Sequence, residues 1–295
     1  MKQELIAGGY VAGWRLVGAL PESWAAALFR TGADIASDRG RGAEMLRRNL
    51  IRVVGAGSVD QRLVRASMRS YARYWKEAFQ LPRLAGQEDV LARIDAGVSG
   101  REHFEAAYSR GRGVILALPH SGNWDMAGMW FVANYGGFTT VAERVEPAAL
   151  FQAFVDFRNS LGFEVLPLTG GERPPYARLK EVLAGGGIVC LLGERDLTAR
   201  GVAVDFFGEP TTMPAGPAKL AIDTGAALIA VHSAFGGPGE PPWLLTADPE
   251  IEVTTLERTT QLLADRFAAN IAAHPADWHM LQPMWPADRP KRRRR

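Results

Sequence analysis

The sequence predicts an α/β fold, with a central mixed and largely parallel sheet flanked by helices and an N-terminal helical segment ahead of it. The first hundred residues place apolar side chains at helical spacing. From residue 101 onwards, short apolar runs alternate with helical segments, as strands and helices do in α/β proteins. These runs are continuously apolar, which is typical of strands buried on both faces of a parallel sheet.

Three helices are predicted in the N-terminal segment, at residues 21–36, 43–55 and 59–82. Pro21 starts the first and Gly55 ends the second, in the positions that these residue types favour. The third helix is the longest and carries a broad apolar stripe rich in Tyr and Trp, with basic side chains elsewhere around it. Such a helix can lie in a membrane interface or pack against the rest of the protein, and the sequence leaves both interpretations open.

The elements after residue 100 are predicted from the same periodicities. The predicted helices are 101–111, 123–136, 147–162, 173–187, 213–225 and 255–275. The predicted strands are 113–119, 138–143, 163–168, 188–194, 202–208, 226–235, 243–247 and 250–253.

The composition favours one large domain, because 47% of the 295 residues are hydrophobic. We expect residues 1–100 to form a mainly helical, basic, membrane-facing part, residues 101–290 an α/β catalytic part and residues 291–295 a basic tail. The single cysteine, Cys190, excludes a disulfide framework and favours a reducing cytosol. No secretory signal and no uninterrupted apolar stretch of about 18 residues is evident, so we do not expect a membrane-spanning protein.

The net charge of +2 is unevenly distributed. Residues 30–76 carry eleven Lys and Arg against four Asp and Glu. Basic helices with interleaved aromatic residues suit an anionic surface of lipid headgroups or nucleic acid, although a solvated helix face is an equally simple interpretation. No nucleic-acid-binding motif accompanies the region. The expected partner is therefore an anionic membrane surface, with no nucleic acid.

The segment LALPHSGNWDMAGMW, residues 116–130, places His120 at the end of a predicted strand. Sites in open α/β sheets form beyond the carboxyl ends of strands. Asp125 follows within about one helical turn, so its carboxylate could reach back to the imidazole and leave the other ring nitrogen as a base. The backbone amides of Ser121, Gly122 and Asn123 could hold His120 in place or bind a developing oxyanion. A purely structural His–Asp pair is the alternative, since this short pattern has many chance matches.

A second charged cluster, Glu194, Arg195 and Asp196 in LLGERDLT, also follows an apolar strand. Charged residues directly after a buried strand are unusual unless they are paired or functional. Structural ion pairing is the simpler alternative. Glu143 after one strand and Arg158 near the end of a helix add further polar candidates.

Several other chemistries fit the sequence less well. Ser121 does not lie in a G-x-S-x-G elbow, which argues against a serine hydrolase. The histidines are dispersed and neither clustered cysteines nor H-E-x-x-H occurs, so no metal is expected. A P-loop and a G-x-G-x-x-G after a strand are both missing, so a nucleotide fingerprint is absent.

Three motifs point to a known family. LPHSGNWD resembles the H-x4-D block of the glycerolipid acyltransferases, in the form found in the branch of the bacterial lipid A late acyltransferases. MPAGPAKLA and HPADWHMLQPMW resemble two later blocks of the same branch. Segments in order along nearly the whole chain, from YVAGWRLV to PADWHMLQP, are similar to the phosphatidylinositol mannoside acyltransferases of mycobacteria and related actinobacteria. The likeness weakens at residues 236–255 and in the Arg-rich tail, and Gly193 stands where a larger residue is expected.

This resemblance implies an acyl-CoA-dependent O-acyltransferase without a further cofactor, metal or acyl-enzyme. The acyl group, with palmitoyl as the expected one, would pass from acyl-CoA to the 6-hydroxyl of the mannose on the inositol 2-position of a mannosylated phosphatidylinositol. His120 would be the general base, Glu194 its partner and Asp125 the acid of H-x4-D. Glu143 and Arg158 match positions at the polar end of the site.

The residues themselves are compatible with that chemistry. A neutral imidazole can take the proton of a sugar hydroxyl as it attacks a thioester, and Arg195 or the loop amides could stabilise the oxyanion. The side chains beside the motif are expected to contact substrate or line an acyl channel, with core packing as an equally good interpretation for each of the apolar ones: Ser121, Asn123, Trp124, Met126, Met129, Trp130 and Phe131. We expect a peripheral protein on the cytoplasmic face of the cell membrane. Another lipid acceptor, or a non-catalytic lipid carrier, are the rival interpretations.

Overall fold

The computed structural model describes residue 13 and residues 16–38, 41–144, 148–171, 173–197 and 200–288, and it confirms the predicted α/β fold. The Arg-rich tail lies outside the described residues. The helices are α1 Glu22–Asp38, α2 Arg41–Val54, α3 Gln61–Leu84, α4 Glu88–Asp95, α5 Arg101–Tyr108, α6 Trp124–Tyr135, α7 Ala148–Ser160, α8 Pro175–Ala184, α9 Gly216–Thr224 and α10 Leu256–Ala273.

Seven strands form the main sheet: β1 Val98–Ser99, β2 Val114–Leu118, β3 Phe138–Ala142, β4 Phe163–Pro167, β5 Ile188–Leu192, β8 Ala227–Ala234 and β9 Leu244–Ala247. Their order across the sheet is β1-β9-β8-β2-β5-β3-β4. All neighbours are parallel except β8 and β9, which makes the sheet mixed and largely parallel. The central strand β2 lies between β8 and β5, so the residues that follow β2 and β5 emerge side by side at one edge.

A separate two-stranded ribbon follows β5. β6, Val202–Phe206, pairs antiparallel with β7, Glu209–Met213. The sequence predicted the first strand but missed the second, because the polar EPTTM carries a proline and lacks an apolar run. The predicted strand at 250–253 is wrong. The Ile251 amide donates a backbone hydrogen bond to the carbonyl of Leu228 in β8, but residues 250–253 do not continue into a ladder of strand hydrogen bonds.

The two faces of the main sheet bury separate apolar clusters. Face A, the face that packs against α8, α9 and α10, carries side chains such as Ile115, Val189 and Leu191. Face B packs against α4 to α7 and carries alternate residues of the same strands, such as Leu116 and Ile188. Both faces are covered, which is why the strands read as continuous apolar runs.

The N-terminal helices form a third apolar cluster and pack against the sheet domain. Asp60 caps α3 by accepting a hydrogen bond from the Leu63 amide at 2.8 Å. The apolar stripe predicted on α3 packs on α1 and α2 at its N-terminal end, through Val64 and Met68. Its aromatic part faces the sheet domain, where Tyr71, Tyr74 and Trp75 line a cavity.

Most of the basic side chains of α3 are also paired within the protein. Arg65, Arg69 and Lys76 each bind an acidic side chain of α1: Asp38, Asp34 and Glu22 respectively. The basic face expected of this helix is therefore partly neutralised by its neighbour. Among the described helices, none has both the length and the apolar character needed to cross a bilayer.

Candidate active site

A cavity of about 790 Å³ opens at the carboxyl ends of β2 and β5 and reaches both faces of the sheet. On face B it extends between the sheet and α6, past Leu116 and Cys190 to Phe138 at the start of β3. On face A it touches Leu191 and Leu220. Much of the wall is apolar, and His120 lies where the two branches meet the strand ends.

His120 and Glu194 come together as predicted, although 74 residues separate them in the chain. One carboxylate oxygen, Oε1 of Glu194, accepts from the His120 backbone amide at 2.7 Å and lies 2.8 Å from Nδ1 of the ring. The parallel pairing of Leu118 with Leu192 aligns β2 and β5 and brings their ends to the same level. The imidazole remains about one-third exposed, whereas the Glu194 side chain is fully buried.

This contact determines the tautomer of the neutral ring. A carboxylate can only accept, so Nδ1 carries the proton and Nε2 keeps its lone pair in the neutral imidazole. Burial opposes the negative charge of Glu194, but the charge of His120 and its two hydrogen bonds outweigh burial and lower the pKa of Glu194 below its ordinary value. In that tautomer the pair offers the lone pair of Nε2, beside a buried anion that would stabilise the protonated ring.

The backbone amides after His120 are already engaged, contrary to the expectation that they could bind an oxyanion. The Ser121 amide donates to Pro119, the Gly122 amide to Asp277 and the Asn123 amide to the Ser233 hydroxyl. Gly122 has φ of 56°, and a Cβ there would lie 2.4 Å from the Ser233 carbonyl oxygen. The loop fits so closely against β8 that its donors face protein, not the cavity.

Asp125 does not reach back to the imidazole, which corrects the interpretation from spacing. Its two oxygens accept from Nε and Nη2 of Arg158 at 2.9 and 3.1 Å, and Tyr74 donates to it at 3.2 Å. Among the described residues, Asp125 forms no hydrogen bond with His120. Asp125 lies in the first turn of α6, and its side chain faces α7 and α3, so its direct role is to hold Arg158.

Arg158 is thereby placed in the cavity wall. Its guanidinium also lies over the Trp124 ring, 4.3 Å from the centroid. Burial is the largest influence on the Tyr74 hydroxyl and, with the nearby negative charge of Asp125, raises its pKa well above the ordinary value. Tyr74 therefore stays a hydrogen-bond donor at neutral pH.

Five of the residues expected to contact substrate or line an acyl channel lie outside the cavity wall. Ser121 is buried with its hydroxyl 3.2 Å from Nδ1 of His232. Asn123 is buried and caps α6 by accepting from the Met126 amide at 3.1 Å. Met126 lies within the face B core, as do Met129 and Trp130. At these buried positions the five side chains support the loop after His120 and helix α6, and they do not face a ligand in the cavity.

The other predicted residues do line the cavity. Trp124 and Phe131 contribute from α6, Glu143 follows β3 with an exposed side chain, and Arg195 directly follows Glu194 with a half-buried side chain. None of the described residues forms an ion pair with Arg195. Asp196 also lines the cavity, and its Oδ2 accepts from the Gly201 amide and the Thr212 hydroxyl.

Sequence reasoning missed His279, which lines the cavity beside His120. Its backbone amide donates to the His120 carbonyl at 2.8 Å, and its Nε2 lies 2.9 Å from the Ser70 hydroxyl. Burial, with a smaller contribution from His120, lowers the pKa of His279 to about 3, so the ring is neutral at physiological pH. Its sequence surroundings showed only a C-terminal histidine without ligand spacing, so no local signal pointed to the site.

Lowering the pH from 7 to 5 is expected to reduce the free energy of unfolding by about 2 kcal/mol through His232 alone. Burial, aided by His274, lowers the pKa of His232 to about 3, against about 6.5 in an unfolded chain. Between these two pKa values the unfolded chain binds the proton and the folded chain does not. The contribution of His232 to stability is therefore fully present above pH 6.5 and is lost as the pH falls towards 3. Urea unfolding at both pH values measures this; the His232→Gln variant should show a smaller loss, and an equal loss would contradict the assignment.

Among the described residues, no group of three or more His, Cys, Asp or Glu side chains is arranged to hold a metal ion.

Comparison with known proteins gives matches over nearly the whole length of the chain. The family model described as bacterial lipid A biosynthesis acyltransferase matches residues 2–286. Phosphatidylinositol mannoside acyltransferase of Mycolicibacterium smegmatis is 58% identical over 295 residues, covering 97% of this chain and 93% of the relative. The protein of the same name from Mycobacterium tuberculosis is 54% identical over 289 residues, covering 97% of this chain and 90% of the relative. The resemblance found in the sequence is confirmed.

Proposed function

The chain belongs to the bacterial lipid A biosynthesis acyltransferase family, and on that premise we propose that it transfers a fatty acyl group, palmitoyl in the first instance, from acyl-CoA to a phosphatidylinositol mannoside. The proposed acceptor atom is the 6-hydroxyl oxygen of the mannose on the inositol 2-position. The names of the two relatives support the acceptor class. The observation that carries the chemistry is the His120–Glu194 pair at the junction of an apolar cavity.

His120 acts as general base in the proposed reaction. Its Nε2 takes the proton of the sugar hydroxyl while the hydroxyl oxygen bonds to the thioester carbonyl carbon. The tetrahedral intermediate then collapses, the carbon–sulfur bond breaks, and the imidazolium returns the proton to the leaving sulfur as the CoA thiol. Glu194 stabilises the imidazolium and fixes the ring in its reactive tautomer, as the carboxylate of a catalytic triad does. The acyl group passes directly to the acceptor, without an acyl-enzyme.

Arg195 is the proposed stabiliser of the oxyanion. The sequence allowed either the loop amides or Arg195 in this role, and the amides all bind other protein groups. Arg195 lines the cavity next to Glu194 and has no ion-pair partner among the residues that the structure describes. A guanidinium directed at developing negative charge can contribute roughly 3 kcal/mol in such a setting.

The two ends of the cavity suggest where the substrates lie. Arg158 and Glu143 provide a cationic donor and an anionic acceptor for the hydroxyls of a sugar beside His120. The apolar branch on face B suits the acyl chain, because each methylene removed from water contributes about 0.8 kcal/mol. The thioester would then lie between the two, at His120.

A reconstituted assay tests this function. The purified chain is mixed with palmitoyl-CoA and mannosylated phosphatidylinositol, and the expected products are CoA thiol and a lipid heavier by one palmitoyl group, located on the inositol 2-position mannose by fragmentation mass spectrometry. Lysophospholipid and a lipid A-like glycolipid serve as competing acceptors. Transfer only to these would refute the acceptor, and CoA release at the same rate without any acceptor would refute transferase activity.

Binding to anionic vesicles through α1 is the second expected property, and with it a peripheral position on the cytoplasmic face of the membrane. Trp24 and Ile35, 71% and 66% exposed, lie with Leu28 on one face of that helix. Basic residues of the region that form no ion pair with another described residue, such as Arg62, add attraction to anionic lipid that salt weakens.

Vesicle flotation measures this property. The Trp24→Ser/Leu28→Ser variant should lower the partition coefficient by about tenfold or more, since two large side chains lose their burial in lipid. Ile222→Ser, which removes an exposed apolar side chain of α9, should leave it unchanged. Equal binding by all three proteins, or no binding by the unmodified chain, would contradict the proposal.

A further inference from the structure

Glu77 is a buried carboxylate of α3 that the proposed chemistry does not use. Its side chain is only 5% exposed. Oε1 accepts from Nε of Arg73 at 2.7 Å, and Oε2 accepts from Nδ2 of Asn123 at 2.7 Å and from Nε1 of Trp243 at 2.8 Å. Burying a charge is costly unless hydrogen bonds offset it, and an apolar side chain would stabilise the fold at least as well. The position of Glu77 therefore calls for an explanation beyond stability.

Asn123, the partner of Glu77, ends the loop that begins with His120. Its backbone N–H donates to the Ser233 hydroxyl on β8, and its side-chain Oδ1 caps α6. Its side-chain Nδ2 donates to Glu77 on α3. Three elements of the fold thus meet at one residue, three positions from the catalytic imidazole. The Glu77 contact is the only one of the three that involves a charged group, and charge-assisted hydrogen bonds are the stronger kind.

The same face of α3 makes two more polar contacts with the site. Ser70 donates to Asp277 at 2.6 Å, and the Asp277 carbonyl accepts from the Gly122 amide. Tyr74 donates to Asp125. Residues 70, 74 and 77 are spaced by four and three, so they form one stripe on the helix. Each member of this stripe holds a different part of the loop and of the start of α6.

We propose that Glu77 is a positioning residue for the proposed acyl transfer. Through Asn123 it holds the loop of residues 120–123, so that His120 keeps its hydrogen bond to Glu194 and the Nε2 atom of His120 keeps its position in the cavity. The inference rests on the proposed function for its kinetic consequences, but the placement of the imidazole can be measured without any turnover. Glu77 contacts no substrate in this scheme and acts only through Asn123.

Exchanging the two partners tests the proposal. Asn123→Asp keeps the cap of α6, because Asp and Asn cap equally well, but it sets two carboxylates against each other. We expect kcat to fall about 10- to 100-fold, as for displacement of a reacting group by about 1 Å, with KM for acyl-CoA nearly unchanged. In the double variant Glu77→Gln/Asn123→Asp, built on Trp243→Phe so that no indole N–H faces the new amide, the glutamine Nε2 donates to the new carboxylate on the loop. Its kcat should return to within about threefold of that of Trp243→Phe alone.

Trp243→Phe is the matched control, because it removes another donor to the same Glu77 oxygen without touching the loop. It should lower the melting temperature and leave kcat nearly unchanged. Full activity in folded Asn123→Asp, or a folded double variant as slow as the single one, would overturn the proposal. If Trp243→Phe lowered kcat as much as Asn123→Asp does, the effect of Glu77 would come from general packing of the core, and the proposal would be overturned as well.

Nuclear magnetic resonance tests the positioning of His120 independently of whether the chain has the proposed acyltransferase activity. The Nδ1 proton of His120, held by Glu194, should give a protected low-field signal that is lost in Asn123→Asp and restored in the double variant. An unmodified chain without acyltransferase activity would refute the function and leave this readout intact. An unchanged signal in Asn123→Asp would overturn the positioning role whatever the enzyme assay shows.

Discussion

Replacing His120 with Ala is expected to lower kcat for acyl transfer by about 10²- to 10⁴-fold, the range that general base catalysis supplies. The imidazole is the group whose Nε2 is free to take a proton, because Glu194 holds the proton of the other nitrogen. The side chain is partly exposed in the cavity wall, so its removal should leave the fold and donor binding almost unchanged. Initial rates of CoA release at saturating palmitoyl-CoA and acceptor measure the effect.

Two further variants make the result specific. Glu194→Gln keeps the shape of the partner and removes its charge, and it should lower kcat by about tenfold or more because the imidazolium loses its stabilising anion. His103→Ala, which changes a partly exposed histidine of α5 outside the cavity wall, should have no effect. Full activity in His120→Ala would eliminate the base mechanism, whereas full activity in Glu194→Gln alone would eliminate only the role of the charge.

Replacing Asp125 with Ala is expected to lower the free energy of unfolding by about 3–5 kcal/mol. The side chain of Arg158 is only 13% exposed and that of Asp125 only 3%, so the variant leaves a buried guanidinium without its counter-charge. Tyr74 would lose its acceptor at the same time. Urea unfolding at pH 7 measures the change.

The matched comparison removes both charges together. Asp125→Leu/Arg158→Met should lose clearly less stability than Asp125→Ala alone, since replacing a whole buried pair by apolar side chains is often nearly neutral. The exposed pair Arg173–Glu181 provides the opposite reference, and breaking it should cost less than about 1 kcal/mol. A double variant as unstable as Asp125→Ala would show that the loss comes from packing and not from the unpaired charge.

The strands that build the site could be predicted from local sequence, because burial on both faces gives each a continuous apolar run. His120 and Glu194 stand directly after two such runs, so their emergence at strand ends followed from the same pattern. That β2 and β5 are neighbours did not follow from it. Nothing in VILAL or IVCLL specifies which strand pairs with which, and the order of strands depends on how the helices cover the two faces.

The partner of Asp125 illustrates what local spacing cannot determine. An acid five residues after a histidine looks able to reach back, yet α6 begins at Trp124 and directs Asp125 towards Arg158, 33 residues further along the chain. Glu77 was hidden for a similar reason. In the sequence it is one charged residue among several on a basic amphipathic helix, and only the packing of α3 against the loop shows that it is buried.

The polar stripe of α3 also determines how the chain can be divided. A fragment beginning at residue 101 would contain every strand of the main sheet except β1, together with His120 and Glu194, and would look like a complete catalytic unit on a topology diagram. It would nevertheless leave Asn123, Asp125 and Asp277 without the side chains of α3 that bind them. The smallest piece of this protein that can hold its histidine in place therefore includes the helix at residues 61–84, so a trimmed version for engineering should keep that helix.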